Sequence, residues 1–427
     1  MSAADLAIVA ALVFGWGTLS ARLERFDVTA PIIFVLAGLL LTHGPLAVLG
    51  VTPSNELIKG LAEFTLALVL FSDASRVGLH ELRADSGLYV RLLGVALPLT
   101  IGLGTLLALA LTGTSIWLAL LVGAALAPTD AALGAGMMTN QVVPTRIRRL
   151  INVESGLNDG IATPFVSVAI AGAATGGQVA GHGPAKAVTE LTVGIVIGVV
   201  LGGVGGLLVN AARQRGWVAE GFAGSAVLGL AICAYASAVA VHGNGFIAAF
   251  VGGLAFGTAS GRRGQPLVPF VEETGALVSL LVWLLFGVIA VVPALESLTW
   301  QIAVYAVLSL TVIRMLPVAI SLLGSGLGRA TVAFVGWFGP RGLASVVFGL
   351  LALEDLGEQV AKPAVAVIAF TVLLSVIAHG LTADPLAKRY GARLTPAEHR
   401  AGATGVIPVP VRRLIRRSHA AAPHKQG

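Results

Sequence analysis

Residues 151–165 read INVESGLNDGIATPF, and this stretch decides the fold because two carboxylates, Glu154 and Asp159, lie in sequence that is otherwise of membrane character. A charged side chain at the bilayer centre costs roughly 2.5–3.5 kcal/mol on insertion scales, so it normally faces a polar cavity, pairs with another charge, or carries a proton or ion. On a helix, Ser155 and Asp159 stand i and i+4 on one face, while Glu154 and Asn158 form a second such pair about 100° around the axis. The first face offers a hydroxyl and a carboxylate, hard oxygens suited to a small cation. The second offers a carboxylate and an amide suited to a fixed partner.

Outward from this stretch, the 427-residue chain is 56% hydrophobic and only 11% charged, with a mean hydropathy of +0.91. Soluble domains carry about 25% charged residues, so the composition predicts an all-α polytopic membrane protein and gives no support to nucleic-acid binding. Windows of about 20 apolar residues place some thirteen spans near 4–20, 30–48, 56–75, 87–112, 116–140, 147–174, 187–211, 222–241, 244–260, 272–293, 300–323, 329–352 and 363–383. The first of these has Asp5 as the only charge before it and no small-residue cleavage pattern after it, so it reads as a span and not a leader. No strand alternation and no long soluble insertion interrupts the series. The single cysteine, Cys233, allows no intrachain disulfide, supports no thiolate metal site, and is assigned to helix packing.

Lys and Arg in short loops favour the cytoplasmic side. Of the 27 basic residues, only Lys59, Lys186, Lys362, Arg314 and Arg341 lie outside alternate loops and the C-terminal segment. That asymmetry predicts an odd number of crossings, an outer N-terminus and a cytoplasmic C-terminus. Residues 1–383 form the transmembrane unit, and 384–427 a short basic cytoplasmic tail. Short loops and the lack of organelle targeting point to a prokaryotic inner membrane.

Two spans are interrupted. The fifth contains APTDAA (127–132), where Pro128 removes a backbone donor and Thr129 and Asp130 supply oxygens. The twelfth contains WFGPRGL (337–343), with Gly339, Pro340 and Gly342 around Arg341. Broken backbone at membrane depth survives only where it is buried in protein or lines a cavity, and paired breaks in two halves mark a transporter site. The two spans run in opposite directions, as an inverted repeat requires. Half-helix ends carry roughly half an electron of partial charge; Asp130 is expected to offset the positive ends and Arg341 the negative ones, with Glu154 as ion-pair partner of Arg341. Arg314 either supports the same region or snorkels.

In APTD, ESGLND and GWFGPRG, together with TAPIIFVLAGLLL (29–41) and LALVLFSDASR (66–76), the sequence resembles the monovalent cation:proton antiporter-1 family, the sodium/proton exchangers. The resemblance implies thirteen helices, two crossed interrupted helices, a mobile core near 87–174 and 300–383, a separate dimerisation scaffold, and elevator-like alternating access as a homodimer. It further implies that Asp159 binds ion and proton with Thr129, Asp130 and Ser155 around it. Asp73 occupies the family's acidic position in the third span, where the alternative is a helix-end charge paired with Arg76. An Asn158-Asp159 centre implies electroneutral exchange.

One buried carboxylate holds either a proton or a metal cation, so the expected activity is exchange of Na+, with K+ and Li+ as alternatives, for H+ without a cofactor. A cation channel using the same acidic cavity is the competing reading. An intramembrane protease using Asp130 and Asp159 lacks any recognisable motif. His43, His242 and His379 are expected at membrane interfaces, Glu272 and Glu273 as solvated helix-start charges, and Glu63 as polar packing.

Overall fold

The computed structural model describes residues 3–24, 28–43, 54–77, 85–134, 137–138, 140, 142–174 and 183–394, and every regular element among them is helical. In chain order these are α1 (Ala3–Leu23), α2 (Ala30–His43), α3 (Asn55–Arg76), α4 (Ser86–Thr112), α5 (Ile116–Ala125), α6 (Thr145–Ala174), α7 (Gly183–Gln214), α8 (Glu220–Ala240), α9 (Gly245–Gly264), α10 (Val268–Ile289), α11 (Val291–Glu296), α12 (Trp300–Ser321), α13 (Arg329–Trp337), α14 (Leu343–Leu356) and α15 (Glu358–Arg393). Eight described helices are long and apolar enough to cross a membrane, and three more apolar helices are shorter. Arg25, Arg83 and the tail basic residues beyond Leu394 lie outside the described residues.

Glycine sets how closely the helices of one half approach. Gly194, Gly198, Gly202 and Gly206 recur every fourth residue along α7 and face α9, where added methyl groups would strike the backbone of Asn244, Ala248, Gly252 and Phe256. In turn Gly253 and Gly257 of α9 press on the Phe71 and Ser75 carbonyls of α3, and Gly38 and Gly287 join α2 to α10 reciprocally. Small residues permit this contact between backbones, which lets dispersion replace the hydrophobic drive that lipid cannot supply. Arg76 of α3 and Glu272 of α10 close the same half with a salt bridge. The expectation of a solvated Glu272 is thereby corrected, as its side chain is buried against that guanidinium.

The other half gathers α4 to α6 and α12 to α15. Its joints are polar: Tyr305 donates to the Gly104 carbonyl at 3.2 Å, Arg91 donates to the Ser321 carbonyl at 3.1 Å, and Asp85 lies 2.7 Å from Arg146. The last helix runs on to Arg393, past the start of the expected tail. Cys233 stands on an exposed helix face and so does not serve core packing.

Candidate ion site at the crossed interruptions

α5 stops at Ala125 because Pro128 has no amide to continue the ladder, and residues 127–130 are non-helical before a short 3-10 turn at Ala131–Gly134. α13 stops at Trp337, and 338–342 are likewise non-helical before α14 begins, opening on a tight turn in which the Gly339 amide donates to the Trp337 carbonyl at 2.7 Å. The two non-helical linkers touch backbone to backbone: the Asp130 amide donates to the Pro340 carbonyl at 2.8 Å. Gly339 and Gly342 are required there, since side chains would collide with Thr129 and with Asp130.

Each loose end has an opposite charge. The Asp130 carboxylate accepts the Ala132 amide at 2.9 Å through Oδ1 and the Leu343 amide at 3.3 Å through Oδ2, capping the starts of both second halves. At the other polarity, Arg341 donates from Nη1 to the carbonyls of Ala127 (2.7 Å) and Pro128 (3.3 Å) and from Nη2 to that of Ser309 (3.1 Å). Ser345 adds a hydrogen bond to the Ala125 carbonyl at 2.6 Å.

Glu154 does not pair with Arg341. Its partner is Arg314 of α12, which donates from Nη2 to Oε2 at 2.8 Å and brings Nη1 to 2.7 Å from Oε1, both residues being 1% exposed. The physical reason is that the carbonyl-rich end of α5 already holds the Arg341 fork, and Arg314 reaches the remaining buried acid from a different helix. Asn158 also departs from the expected pairing face. Its Nδ2 donates to Thr129 Oγ1 at 2.7 Å, while Ser155 donates to the Thr129 carbonyl at 2.6 Å and accepts the Ala131 amide at 2.8 Å. Both side chains thus bind α6 to the fifth-span interruption.

Asp159 is buried mid-helix, one turn beyond Ser155, and its carbonyl accepts the Thr163 hydroxyl at 2.8 Å. Asp73 approaches from α3: a methyl group on Gly156 would sit 3.3 Å from the Asp73 Cβ. Arg76, its alternative partner, forms the Glu272 bridge described above. A cavity of about 230 Å³ reaches Thr163 and Ser167 and is lined also by Glu63, Phe246, Phe348 and Asp355. Glu63 therefore faces open space, which its sequence context alone did not indicate. Across the cavity rim Lys59 of α3 meets Asp355 of α14 at 2.6 Å.

His379 is also misplaced by sequence reasoning. It is completely buried, with Nε2 2.9 Å from the Trp337 carbonyl and Nδ1 2.9 Å from the Ser375 carbonyl. His43 and His242 are exposed at helix ends.

Two crossed, oppositely capped interruptions beside a helix bearing buried carboxylates define an ion-transporter architecture of the antiporter kind. The sodium/hydrogen exchanger transmembrane family matches residues 8–389, and the chain belongs to that family. An uncharacterised Na+/H+ exchanger of Mycobacterium tuberculosis is 30% identical over 220 residues, covering 49% of this chain and 36% of its own length. The K+/H+ antiporter NhaP2 of Shewanella oneidensis is 22% identical over 383 residues, covering 88% of this chain and 65% of its own. The chain therefore spans less than two thirds of either relative. In fold it is similar to the sodium proton antiporter MjNhaP1 of Methanocaldococcus jannaschii at pH 8, with a TM-score of 0.73 at 18% identity, over 91% of this chain and 99% of that one.

Proposed function

We propose that this chain exchanges a monovalent cation for H+ across a prokaryotic inner membrane, with both cargoes competing for Asp159. The observation that carries this reading is a buried carboxylate one helical turn from Ser155, whose hydroxyl clasps the broken backbone at Thr129. Asp130, Arg341 and Glu154 hold the crossing together and form the frame; Asp159 is assigned the cargo. Thr129 and Ser155 contribute neutral oxygens near it, and Asp130 and Asp73 contribute negative potential. Desolvation favours the protonated acid and an arriving cation favours the ionised one, so proton and cation displace each other. The neighbour of Asp159 is the amide Asn158, so one carboxylate trades one positive charge for another and the cycle moves no net charge.

The polar half, near 87–174 and 300–383, is the moving body, and the glycine-packed helices are the scaffold through which two copies associate. The cavity under Lys59 and Asp355 supplies a water route toward Asp159 from one side. Na+, K+ and Li+ all suit a hard oxygen site, and ring size and oxygen placement choose among them.

The test is exchange in proteoliposomes under an imposed pH gradient with each of the three cations. Asp159→Asn is expected to abolish exchange while the protein stays folded and monodisperse; retained proton-coupled flux in that variant overturns the assignment. An imposed membrane potential alone is expected to drive nothing, and a stoichiometry that follows the potential overturns electroneutrality. Flux that fails to saturate with cation would favour the channel.

A further inference from the structure

One helix, α15, holds the α13–α14 interruption through four polar rungs. Tyr390 Oη and Thr331 Oγ1 are 3.0 Å apart, and the Trp337 indole N–H donates to Thr382 Oγ1 at 3.1 Å. His379 Nε2 lies 2.9 Å from the Trp337 carbonyl oxygen, and the Arg341 amide donates to Ser375 Oγ at 2.7 Å. The last two rungs fall on opposite sides of the break. One takes a carbonyl left where α13 ends, and the other an amide left before α14 begins, the groups that a helix end leaves without partners.

Both ring nitrogens of His379 face carbonyl oxygens, which only accept: Nε2 lies 2.9 Å from that of Trp337, which also accepts the Gly339 amide at 2.7 Å, and Nδ1 lies 2.9 Å from that of Ser375. His379 Nδ1 lies 3.2 Å from Ser375 Oγ. A neutral ring carries one N–H and donates to one of these two carbonyls, while the Arg341 amide donates to Ser375 Oγ with either tautomer. The Ser375 and His379 contacts thus bracket residues 338–340. Ser375 and His379 are both fully buried, so no water replaces either rung. The imidazole also stacks against the Trp337 ring, with centroids 5.1 Å apart.

We infer that Ser375 and His379 are positioning residues for the ion site, acting through the linker they bracket. Pro340 in the middle of that linker and Leu343 just beyond it hold Asp130 by its amide and its carboxylate. The placement of the linker therefore sets where Asp130 and the adjoining Thr129 present their oxygens to Asp159. This inference rests on the exchange reading above and adds two residues, on a helix outside both interruptions, that govern its cation affinity and selectivity.

The experiment uses the full chain with Ser375→Ala, Ser375→Thr, His379→Gln and His379→Phe. Amide deuterium uptake over residues 338–343 and exchange per folded molecule with Na+ and Li+ are measured for each. Ser375→Ala is expected to speed uptake in that peptide, to raise the half-saturating Na+ concentration about three- to tenfold, the factor one ordinary hydrogen bond represents, and to shift the Na+/Li+ ratio. Ser375→Thr keeps the oxygen and stays near wild type; His379→Gln keeps an N–H for Trp337 and falls between wild type and His379→Phe. Unchanged cation affinity and ion ratio in Ser375→Ala and His379→Phe would overturn the inference, even with lowered thermal stability or faster uptake, because the rungs would then be a brace only. A wild-type chain inert toward every cation would sink the exchange reading and this inference together; an active wild type with unmoved variants sinks the inference alone.

Discussion

The two halves of this protein solve the same packing problem with different chemistry. In the glycine half, α7 meets α9, α9 meets α3 and α2 meets α10 backbone against backbone, with the Arg76–Glu272 salt bridge beside them. In the polar half, two non-helical stretches of backbone meet, and their free ends are answered by the side chains of Asp130, Arg341, Ser345 and Ser155. Close packing of small residues is stiff and has a single best register. A crossing built from hydrogen bonds and charges can hold a dehydrated carboxylate such as Asp159 without lipid contact, at the cost of depending on each partner. The halves should therefore fail differently when one residue is changed.

The largest failure is expected in the polar half. Arg314→Met leaves the 1% exposed Glu154 without its counter-ion, and removing one member of a buried pair costs about 3–5 kcal/mol. Glu154→Gln should cost a comparable amount by stranding Arg314, and the double variant should recover much of both losses. Thermal unfolding in detergent across the four proteins measures the coupling. If the coupling is absent but reappears for Glu154 with Arg341, the pairing described here is wrong.

This pair also marks what the sequence could and could not reveal. The interruptions were legible because Pro128 and the Gly-Pro-Arg-Gly run have local consequences for backbone. The identity of the Glu154 partner was not legible. Two arginines lie inside apolar spans, both are compatible with one buried acid, and only the three-dimensional crossing shows that α5 carbonyls occupy Arg341. His379 was misplaced for a different reason. Asp384, Lys388 and Arg389 made the last span look finished, whereas the helix continues to Arg393 and His379 belongs to its packed middle. Asp384 accepts from Asn140 at 3.2 Å, so a charge that seemed to end the span is fastened to the polar half. Glu272 escaped notice because its partner, Arg76, comes from a helix distant in sequence.

In the glycine half a smaller effect is expected, and it should be steric in origin. A methyl group at Gly202 would meet the carbonyl, Cα and carbonyl carbon of Gly252, atoms that cannot rotate away. Gly202→Ala is therefore expected to destabilise by about 1–3 kcal/mol, the usual range for overpacking. The neighbouring Gly203 has open space at its Cβ position, and Gly203→Ala should be neutral or stabilising by up to about 1 kcal/mol through helix propensity. Equal losses at the two positions, read by thermal unfolding, would show that α7 and α9 are not in backbone contact.

The smallest effect should come where the two halves meet. Lys59 of α3 and Asp355 of α14 lie 2.6 Å apart, with side chains 41% and 37% exposed. Water screens both, and ion pairs of this kind contribute about 0–1 kcal/mol. Lys59→Met should accordingly change stability by less than about 1 kcal/mol, and the difference should shrink further in high salt as screening increases. Under the proposed movement of the polar half against the scaffold, that weakness is what the contact between them requires, since a strong pair would hold one conformation. If Lys59→Met instead cost as much as Arg314→Met, α3 and α14 would belong to one rigid unit. The division into a glycine-packed scaffold and a polar moving body would then have to be redrawn with α3 on the other side.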